Sequence, residues 1–394
     1  MPDPSIESVP SARTSPNWLH YLNLVWNGLT LLVLIPFFFM ILTGSSEGET
    51  SALRGLSKLS IYLIAGVILF FTCMALIGFI DSLRKVMNKS KPARALRWRW
   101  LFYTLIAFFP ILFAIKQWGE KGLLPDWLFA MLIFMAIFIP IVWLVRVVGD
   151  RQWGGHAGRH ASLFNWSASV SVPYIMILQL MLVILLVIVA MSSPGFVLPN
   201  LENLAEIEAY LKKPIVLYSI FLLLSVFAPI IEELFKTLAV WPLLGLRITA
   251  REGYLAGLMS GAAFALFEGV LYASQYAGLG DGNWLFLIFG RFGGSLLHIF
   301  NGGLIGWALA KTWLDKQYYR AGLAYLSAMI IHGLWNFTVF ITQIVPTVIG
   351  EDPNPIGSTL PLAVLAVIVA LGFVLLGNYV AKEQNQMSQE AYGA

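Results

Sequence analysis

Charged residues are scarce in this sequence. Only 12% of the 394 residues are Asp, Glu, Lys or Arg, the mean hydropathy is +0.77, and the run from Tyr174 to Met191 contains no charge at all. An uncharged apolar run of 18 or more residues is long enough to cross a bilayer as a helix, whereas a soluble core helix needs a polar face. The scarcity of charge therefore excludes a soluble globular protein and predicts an all-α, polytopic membrane protein.

Several other features are missing. The single cysteine, Cys73, can form no internal disulfide. No repeat recurs at a fixed period, which removes one cue for an inverted-repeat transporter. The sequence contains neither the H-E-x-x-H motif of zincins nor the G-x-S-x-G motif of serine hydrolases, and no Ser-His-Asp triad is recognisable. Common hydrolase signatures are therefore absent.

Hydropathy predicts about ten transmembrane helices, which we number spans 1 to 10 in chain order. Span 3 is the shortest and contains Pro110. The predicted ranges are 18–43, 59–80, 101–115, 127–148, 170–192, 214–242, 254–276, 285–310, 322–345 and 361–380.

The distribution of basic residues predicts the orientation of the chain. With the N-terminus inside, 17 of the 25 Lys and Arg residues fall in cytosolic segments, six fall outside and two lie within spans. Both termini are therefore expected in the cytosol, in a multi-pass protein of the cell membrane. The basic loops also account for the net charge of +4, so the charge predicts the lipid bilayer as a partner and no nucleic acid.

One stretch places charge inside span 6. The sequence "APIIEELFKTLAV", residues 228–240, contains Glu232, Glu233 and Lys236. A charged side chain at mid-bilayer costs about 2.5 to 3.5 kcal/mol on insertion scales, so such residues face the bundle interior or a hydrated cavity. The spacing of four residues predicts an ion pair between Glu232 and Lys236, which leaves the other carboxylate for chemistry.

Three more titratable residues lie inside the following spans: Glu268 in span 7, His298 in span 8 and His332 in span 9. Counted from the predicted cytosolic helix ends at about 1.5 Å per residue, Glu232 and these three residues lie at depths of about 15 to 21 Å. They should therefore meet in one layer, between spans that carry many glycines and can pack closely.

Carboxylates and histidines in a wet intramembrane pocket suit three kinds of chemistry. They can bind a metal such as Zn²⁺ through His298, His332 and a glutamate. They can hydrolyse a bond without metal, with a glutamate as general base. They can also relay protons in a transporter. Spacing alone leaves all three open, together with a non-catalytic scaffold in which polar residues only hold helices together.

An ordered set of motifs in residues 214–345 resembles the PrsW family of intramembrane proteases. That family is similar to the wider group of CAAX prenyl endopeptidases and bacteriocin-processing enzymes, although Lys236 and Glu268 depart from the prenyl endopeptidase pattern. The motifs are E-E-x-x-K (Glu232, Glu233, Lys236), F-x-x-x-E (Phe264, Glu268), a histidine before a small-residue run (His298, Asn301, Gly302, Gly303) and H-x-x-x-N (His332, Asn336).

The resemblance implies an intramembrane protease that hydrolyses a peptide bond of a membrane-anchored protein substrate, as the family does with an anti-sigma factor. It implies that Glu232 activates water, with Glu233 and Glu268 nearby as a second carboxylate or ligand. His298 and His332, with Glu268, would bind a metal such as zinc. A proton-coupled transporter that uses the same residues as a relay is the alternative.

By the same resemblance, Asn336 would help to hold an oxyanion.

The expected organisation is a disordered cytosolic tail, five N-terminal spans, an outer loop with an amphipathic segment, a catalytic core of spans 6 to 9, a final span and a cytosolic tail. The corresponding ranges are 1–17, 18–192, 193–213, 214–345, 361–380 and 381–394.

Overall fold

The structure, a computed structural model, is predominantly helical in the part of the chain that it describes and contains no β-strand there. It describes residues 17–44, 57–87, 89, 98–149, 157–192, 199–200, 203–244, 248–278, 283–350 and 355–393. The α-helices extend over Asn17–Gly44, Lys58–Val86, Trp98–Ala114, Asp126–Gly149, Ala157–Trp166, Val172–Met191, Leu204–Leu211, Pro214–Leu222, Ala228–Lys236, Trp241–Leu244, Ala250–Ala277, Trp284–Asp315, Tyr318–Val339, Val345–Ile349 and Pro355–Gly393.

The prediction of an all-α membrane protein with ten spans is confirmed. Ten stretches within the described ranges are helical, long and apolar enough to cross a membrane. Spans 1 to 10 extend over Trp18–Ile41, Lys58–Val86, Phe102–Gly119, Asp126–Arg146, Ala161–Val189, Pro214–Ala239, Ala250–Ala277, Trp284–Asp315, Tyr318–Ile349 and Thr359–Glu383. The chain is therefore a multi-pass membrane protein, and the cytosolic position of both termini stays a prediction.

Spans 7 and 8 form the centre of the bundle because glycines bring their backbones into contact. A Cβ atom added at Gly257 would lie 2.0 Å from the carbonyl oxygen of Gly302 in span 8, and one added at Gly261 would lie 2.2 Å from that of His298. No larger residue fits at these positions without moving the helices apart, as in other close membrane helix pairs. This contact fixes the position of His298 relative to span 7.

Spans 5, 6 and 9 each contain a π-helical turn, at Ser167–Ser171, Leu223–Phe227 and Phe340–Ile344. Such turns widen the helix, disturb its hydrogen-bond ladder and are frequent near functional sites. In span 6 the π-turn comes directly before the helix Ala228–Lys236, which carries the charged residues. The π-turn therefore rotates the residues that follow it in span 6 relative to those that precede it.

The segments outside the core agree only partly with the predicted organisation. The predicted amphipathic segment contains the helix Leu204–Leu211, whose N-terminus is capped by Asn203. The predicted N-terminal tail, residues 1–17, lies outside the described residues except for Asn17, where the first helix begins. The last helix continues past span 10 as far as Gly393. The division into an N-terminal unit and a core of spans 6 to 9 stays a prediction.

Candidate active site

Five of the six predicted site residues meet in one cluster between spans 6, 7, 8 and 9. They are Glu232, Glu233, Glu268, His298 and His332, and they are joined to one another directly or through Lys236. The cluster is largely buried, and only Glu268, with 18% of its side chain exposed, reaches the surface appreciably. The shared depth inferred from the four helices therefore corresponds to a real layer of polar side chains.

Glu233 is the most heavily bonded carboxylate of the cluster. Its Oε1 atom accepts hydrogen bonds from Lys236 Nζ at 2.6 Å, from His332 Nδ1 at 2.7 Å and from Asn301 Nδ2 at 3.1 Å. Glu233 and Lys236 are both completely buried. A buried ion pair is tolerated when further hydrogen bonds stabilise its charges, and Asn301 and His332 donate such bonds to Oε1. The Oε2 atom of Glu233 is buried and has no hydrogen-bond partner among the described residues.

The predicted ion pair between Glu232 and Lys236 is wrong. Lys236 pairs instead with Glu233, three residues away, and its Nζ also lies 3.0 Å from Nδ1 of His298. Residues three and four apart both share a helix face, so the spacing permits either partner. Glu233 is the partner because both side chains point into the bundle centre, while Glu232 turns towards span 5.

Glu232 is the carboxylate with the fewest partners. Its Oε1 atom accepts a hydrogen bond from Nε2 of Gln179 in span 5 at 2.8 Å. Its Oε2 atom is buried, has no hydrogen-bond partner among the described residues, and lies 3.6 Å from Nε2 of His332. A buried carboxylate oxygen without a donor is costly, so this atom faces a place where a ligand is expected.

The ring of His332 is oriented for metal binding. A carboxylate only accepts hydrogen bonds, so Nδ1 of His332 carries the ring proton and donates to Glu233. Nε2 then presents its lone pair towards Glu232. A histidine whose other nitrogen donates to a carboxylate is the usual arrangement of a metal-ligating imidazole.

The ring of His298 has the opposite arrangement of protons. The ammonium of Lys236 only donates, so Nδ1 of His298 accepts from it. Nε2 of His298 therefore carries the proton and donates to Oε2 of Glu268 at 2.6 Å. For His298 to bind a metal through Nε2, that proton must leave, because metal ligands are bound in their deprotonated form.

Glu268 lies at the edge of the cluster and is paired with an arginine. Its Oε2 atom accepts from Arg291 Nη2 of span 8 at 2.5 Å, in addition to the bond from His298. The guanidinium of Arg291 also lies 4.8 Å from the centre of the Tyr272 ring. Glu268 is therefore a charged, oriented and partly accessible carboxylate.

Serine hydrogen bonds hold the C-terminal end of the glutamate-bearing helix. Ser260 of span 7 donates to the backbone carbonyl of Lys236, where the α-helix gives way to the 3₁₀ turn Thr237–Ala239. The hydroxyl of Ser260 also lies 2.5 Å from that of Ser167 in span 5. These bonds satisfy a backbone carbonyl that the helix end leaves without an intrahelical partner.

Asn336, the sixth predicted residue, lies on span 9 but contacts the backbone rather than the cluster. Its Nδ2 atom donates to the carbonyl oxygen of Leu224 at 2.9 Å, within the π-helical turn of span 6. One of its two amide hydrogens is thus used to satisfy that turn. Its predicted role at an oxyanion stays a prediction.

A metal ion fits the geometry of Glu232, His298 and His332. One ligand atom from each residue lies within 4.8 Å of the others, and all three residues are buried. Two ligand atoms on a tetrahedral zinc ion, each about 2.1 Å from it, lie about 3.4 Å apart, close to the 3.6 Å between Glu232 and His332. This group contains Glu232 where the family resemblance implied Glu268 as the carboxylate ligand.

The charges of the cluster also suit a cation. The three glutamates face two cations, Lys236 and Arg291. With all three carboxyl groups ionised and both imidazoles neutral, the cluster carries one excess negative charge. A buried charge needs a partner, and a divalent cation beside Glu232 would supply it.

Sequence reasoning missed the contributions of Gln179 and Arg291 to the site. Arg291 was visible as a charge inside span 8, but its partner Glu268 follows only from the fold. Gln179 carries the one side-chain amide in the apolar run from Tyr174 to Met191. A lone amide in a transmembrane helix needs a hydrogen-bond partner. Its presence in an otherwise apolar run is the feature of the sequence that could have identified Gln179 as part of the site.

Comparison with known proteins agrees with the geometry of the site. A family model described as "PrsW family intramembrane metalloprotease" matches residues 158–371. The matched range contains all six predicted site residues and Gln179, and it is wider than the predicted core of residues 214–345. No curated protein and no solved structure matches the chain.

Proposed function

Because the chain belongs to the PrsW family of intramembrane metalloproteases, we propose that it cleaves a membrane-anchored regulator similar to an anti-sigma factor, at the cluster between spans 6 and 9. The observation that carries this proposal is the buried group of Glu232, His298 and His332, which can hold a metal ion at the depth of the bilayer. A substrate segment in the membrane would meet the metal centre there.

Glu232, His298 and His332 are the proposed metal ligands, and zinc is the proposed metal. Zinc so bound lowers the pKa of a ligated water and polarises a carbonyl group. Glu233 holds His332 through Nδ1, and Lys236 and Asn301 hold Glu233 in turn. The ring of His332 is thus locked in one orientation, which a ligating histidine requires.

Glu268 is the proposed general base, whereas the family resemblance implied that Glu232 activates water; Glu232 is assigned here to the metal instead. It is the most accessible carboxylate of the cluster, and its Oε2 atom lies 2.6 Å from Nε2 of His298, so it borders the proposed metal position. Its carboxylate would take a proton from the attacking water and return it to the leaving amine as the C–N bond breaks. Arg291 keeps the carboxylate oriented at the edge of the site.

Asn336 is the proposed donor to the oxyanion that forms when water adds to the peptide carbonyl. Its bond to Leu224 uses one amide hydrogen and leaves the second available. The same bond ties its orientation to the π-turn of span 6. A preorganised donor of this kind stabilises developing charge because it does not have to reorient during the reaction.

The transporter alternative shares one observation with the protease, the buried chain of hydrogen bonds from Arg291 through Glu268, His298, Lys236 and Glu233 to His332. The family assignment supports hydrolysis over transport. The catalytic core would consist of spans 6 to 9, with span 5 contributing Gln179 to Glu232.

The proposal is tested with the purified full chain in lipid nanodiscs, zinc, and a library of single-span peptides. Cleavage is expected for the wild type and lost in Glu232→Gln, Glu268→Gln and His332→Ala. The matched control is Glu208→Gln, which changes an exposed carboxylate paired only with Lys212 on the helix Leu204–Leu211. Cleavage by the three site variants at the wild-type rate would contradict the assigned residues.

A further inference from the structure

Span 5 contacts a carboxylate of the site through the side chain of Gln179. Between Tyr174 and Met191, Gln179 carries the one side-chain amide in an apolar helix, and its neighbours Leu180 and Met181 are each 60% exposed. None of the described side chains that follow it in span 5 is buried. Gln179 therefore lies where the helix passes from its buried part to its exposed part.

The partner of Gln179 is the carboxylate of Glu232. The Gln179 amide donates from Nε2 to Oε1 of Glu232 at 2.8 Å, and this is the one hydrogen bond that Glu232 receives from the described residues. The second oxygen, Oε2, has no such partner and faces Nε2 of His332 at 3.6 Å. The two carboxylate oxygens thus have different surroundings.

The last torsion of a glutamate side chain is broad, so packing alone does not decide which oxygen points where. A hydrogen bond to one oxygen does decide it. With Oε1 held by Gln179, only Oε2 can face the space between Glu232 and His332. The same bond satisfies an amide that would otherwise lie unpaired in the membrane.

We propose that Gln179 is a positioning residue that fixes Glu232 as a one-oxygen metal ligand and so makes span 5 part of the metal centre. This inference rests on the proposed metal ligation by Glu232. Outer-shell partners that orient a metal ligand contribute about 10- to 100-fold to metal affinity. Removal of the Gln179 amide should therefore weaken metal binding without removing a ligand.

The test measures zinc affinity of the full chain in nanodiscs by competition with a chelator. The main variant, Gln179→Met, keeps the length of the side chain and removes its amide, including the donor to Glu232. Gln179→Asn retains an amide that is one bond too short, which provides a second variant. The packing control is Ile175→Ala, since Ile175 is completely buried on the same helix and its side chain is purely apolar, in a cluster with Val172 and Phe264.

Both Gln179 variants should bind zinc about 10- to 100-fold more weakly than the wild type, and Gln179→Met should recover much of its cleavage rate at saturating zinc with KM unchanged. Ile175→Ala should lower thermal stability while leaving zinc affinity near the wild-type value. Wild-type affinity in either folded Gln179 variant, or an equal loss in Ile175→Ala, would overturn the inference.

A further variant separates this inference from the proposed function. Glu232→Gln should lose zinc affinity by more than either Gln179 variant. If Glu232→Gln loses affinity while the Gln179 variants do not, only the positioning role fails. If Glu232→Gln binds zinc like the wild type, the ligand assignment fails and the positioning role fails with it.

Discussion

The Nε2 atom of His332 and the Oε2 atom of Glu232 face each other at 3.6 Å, too far for a hydrogen bond and close to the separation of two ligands on one zinc ion. Glu233 fixes the proton on the opposite nitrogen of the His332 ring. The two atoms therefore present electron pairs to a common space.

The Glu268→Gln variant tests whether Glu268 acts as a general base or as a metal ligand. Because Glu268 is proposed to move a proton rather than to hold the metal, the variant should bind zinc like the wild type while kcat falls by about 10²- to 10⁴-fold. Zinc affinity and single-turnover peptide cleavage check this. Loss of zinc binding would instead support Glu268 as a ligand, as the family resemblance implied.

Lys236→Met should destabilise the fold. The substitution removes a completely buried ammonium and leaves the carboxylate of Glu233 without its cation, at a cost of about 3 to 5 kcal/mol in the free energy of unfolding. Unfolding in mild detergent measures the effect. In the double variant with Glu233→Gln, the cost should be smaller than the sum of the two single costs, and strict additivity would show that the pair is not coupled.

Gly257→Ala should weaken the contact between spans 7 and 8. The added Cβ would lie 2.0 Å from the backbone oxygen of Gly302, so the helices must separate, at about 1 to 3 kcal/mol. Gly290→Ala in span 8 is the matched control, because nothing lies within 4 Å of a Cβ there. Thermal unfolding of the two variants should differ clearly, and equal stability would contradict the close contact.

Zinc binding should release protons. His298 donates from Nε2 to Glu268 in the structure, and ligation through that nitrogen requires the proton to leave. Calorimetric titration with zinc in buffers of different ionisation enthalpy measures the number released. We expect release from the wild type and a smaller number from His298→Ala. Identical proton release in both proteins would argue against this ring as a ligand.

The sequence predicts the fold and the general location of the site, and the two predictions have independent reasons. Ten apolar runs predicted ten spans because bilayer thickness fixes helix length. Counting residues from the helix ends placed Glu232, Glu268, His298 and His332 in one layer because the rise per residue is constant. Neither inference depends on how the helices are arranged around one another.

The pairing of side chains within the layer did not follow from the sequence. Lys236 can reach either preceding glutamate by its spacing, and in the fold it pairs with Glu233, which also accepts a hydrogen bond from Asn301 of span 8. The contacts of Glu232 with Gln179 and of Glu268 with Arg291 join residues 53 and 23 positions apart. Such partners are set by helix packing, which composition and periodicity do not specify.

The most direct measurement of the central claim is peptide cleavage by one protein sample before and after removal of its metal. The purified full chain in nanodiscs is stripped with a chelator, shown to be metal-free by elemental analysis, and then given one equivalent of zinc. We predict that the stripped protein cleaves no peptide and that zinc restores cleavage in the wild type but not in His332→Ala. Undiminished cleavage by the metal-free protein would contradict the account.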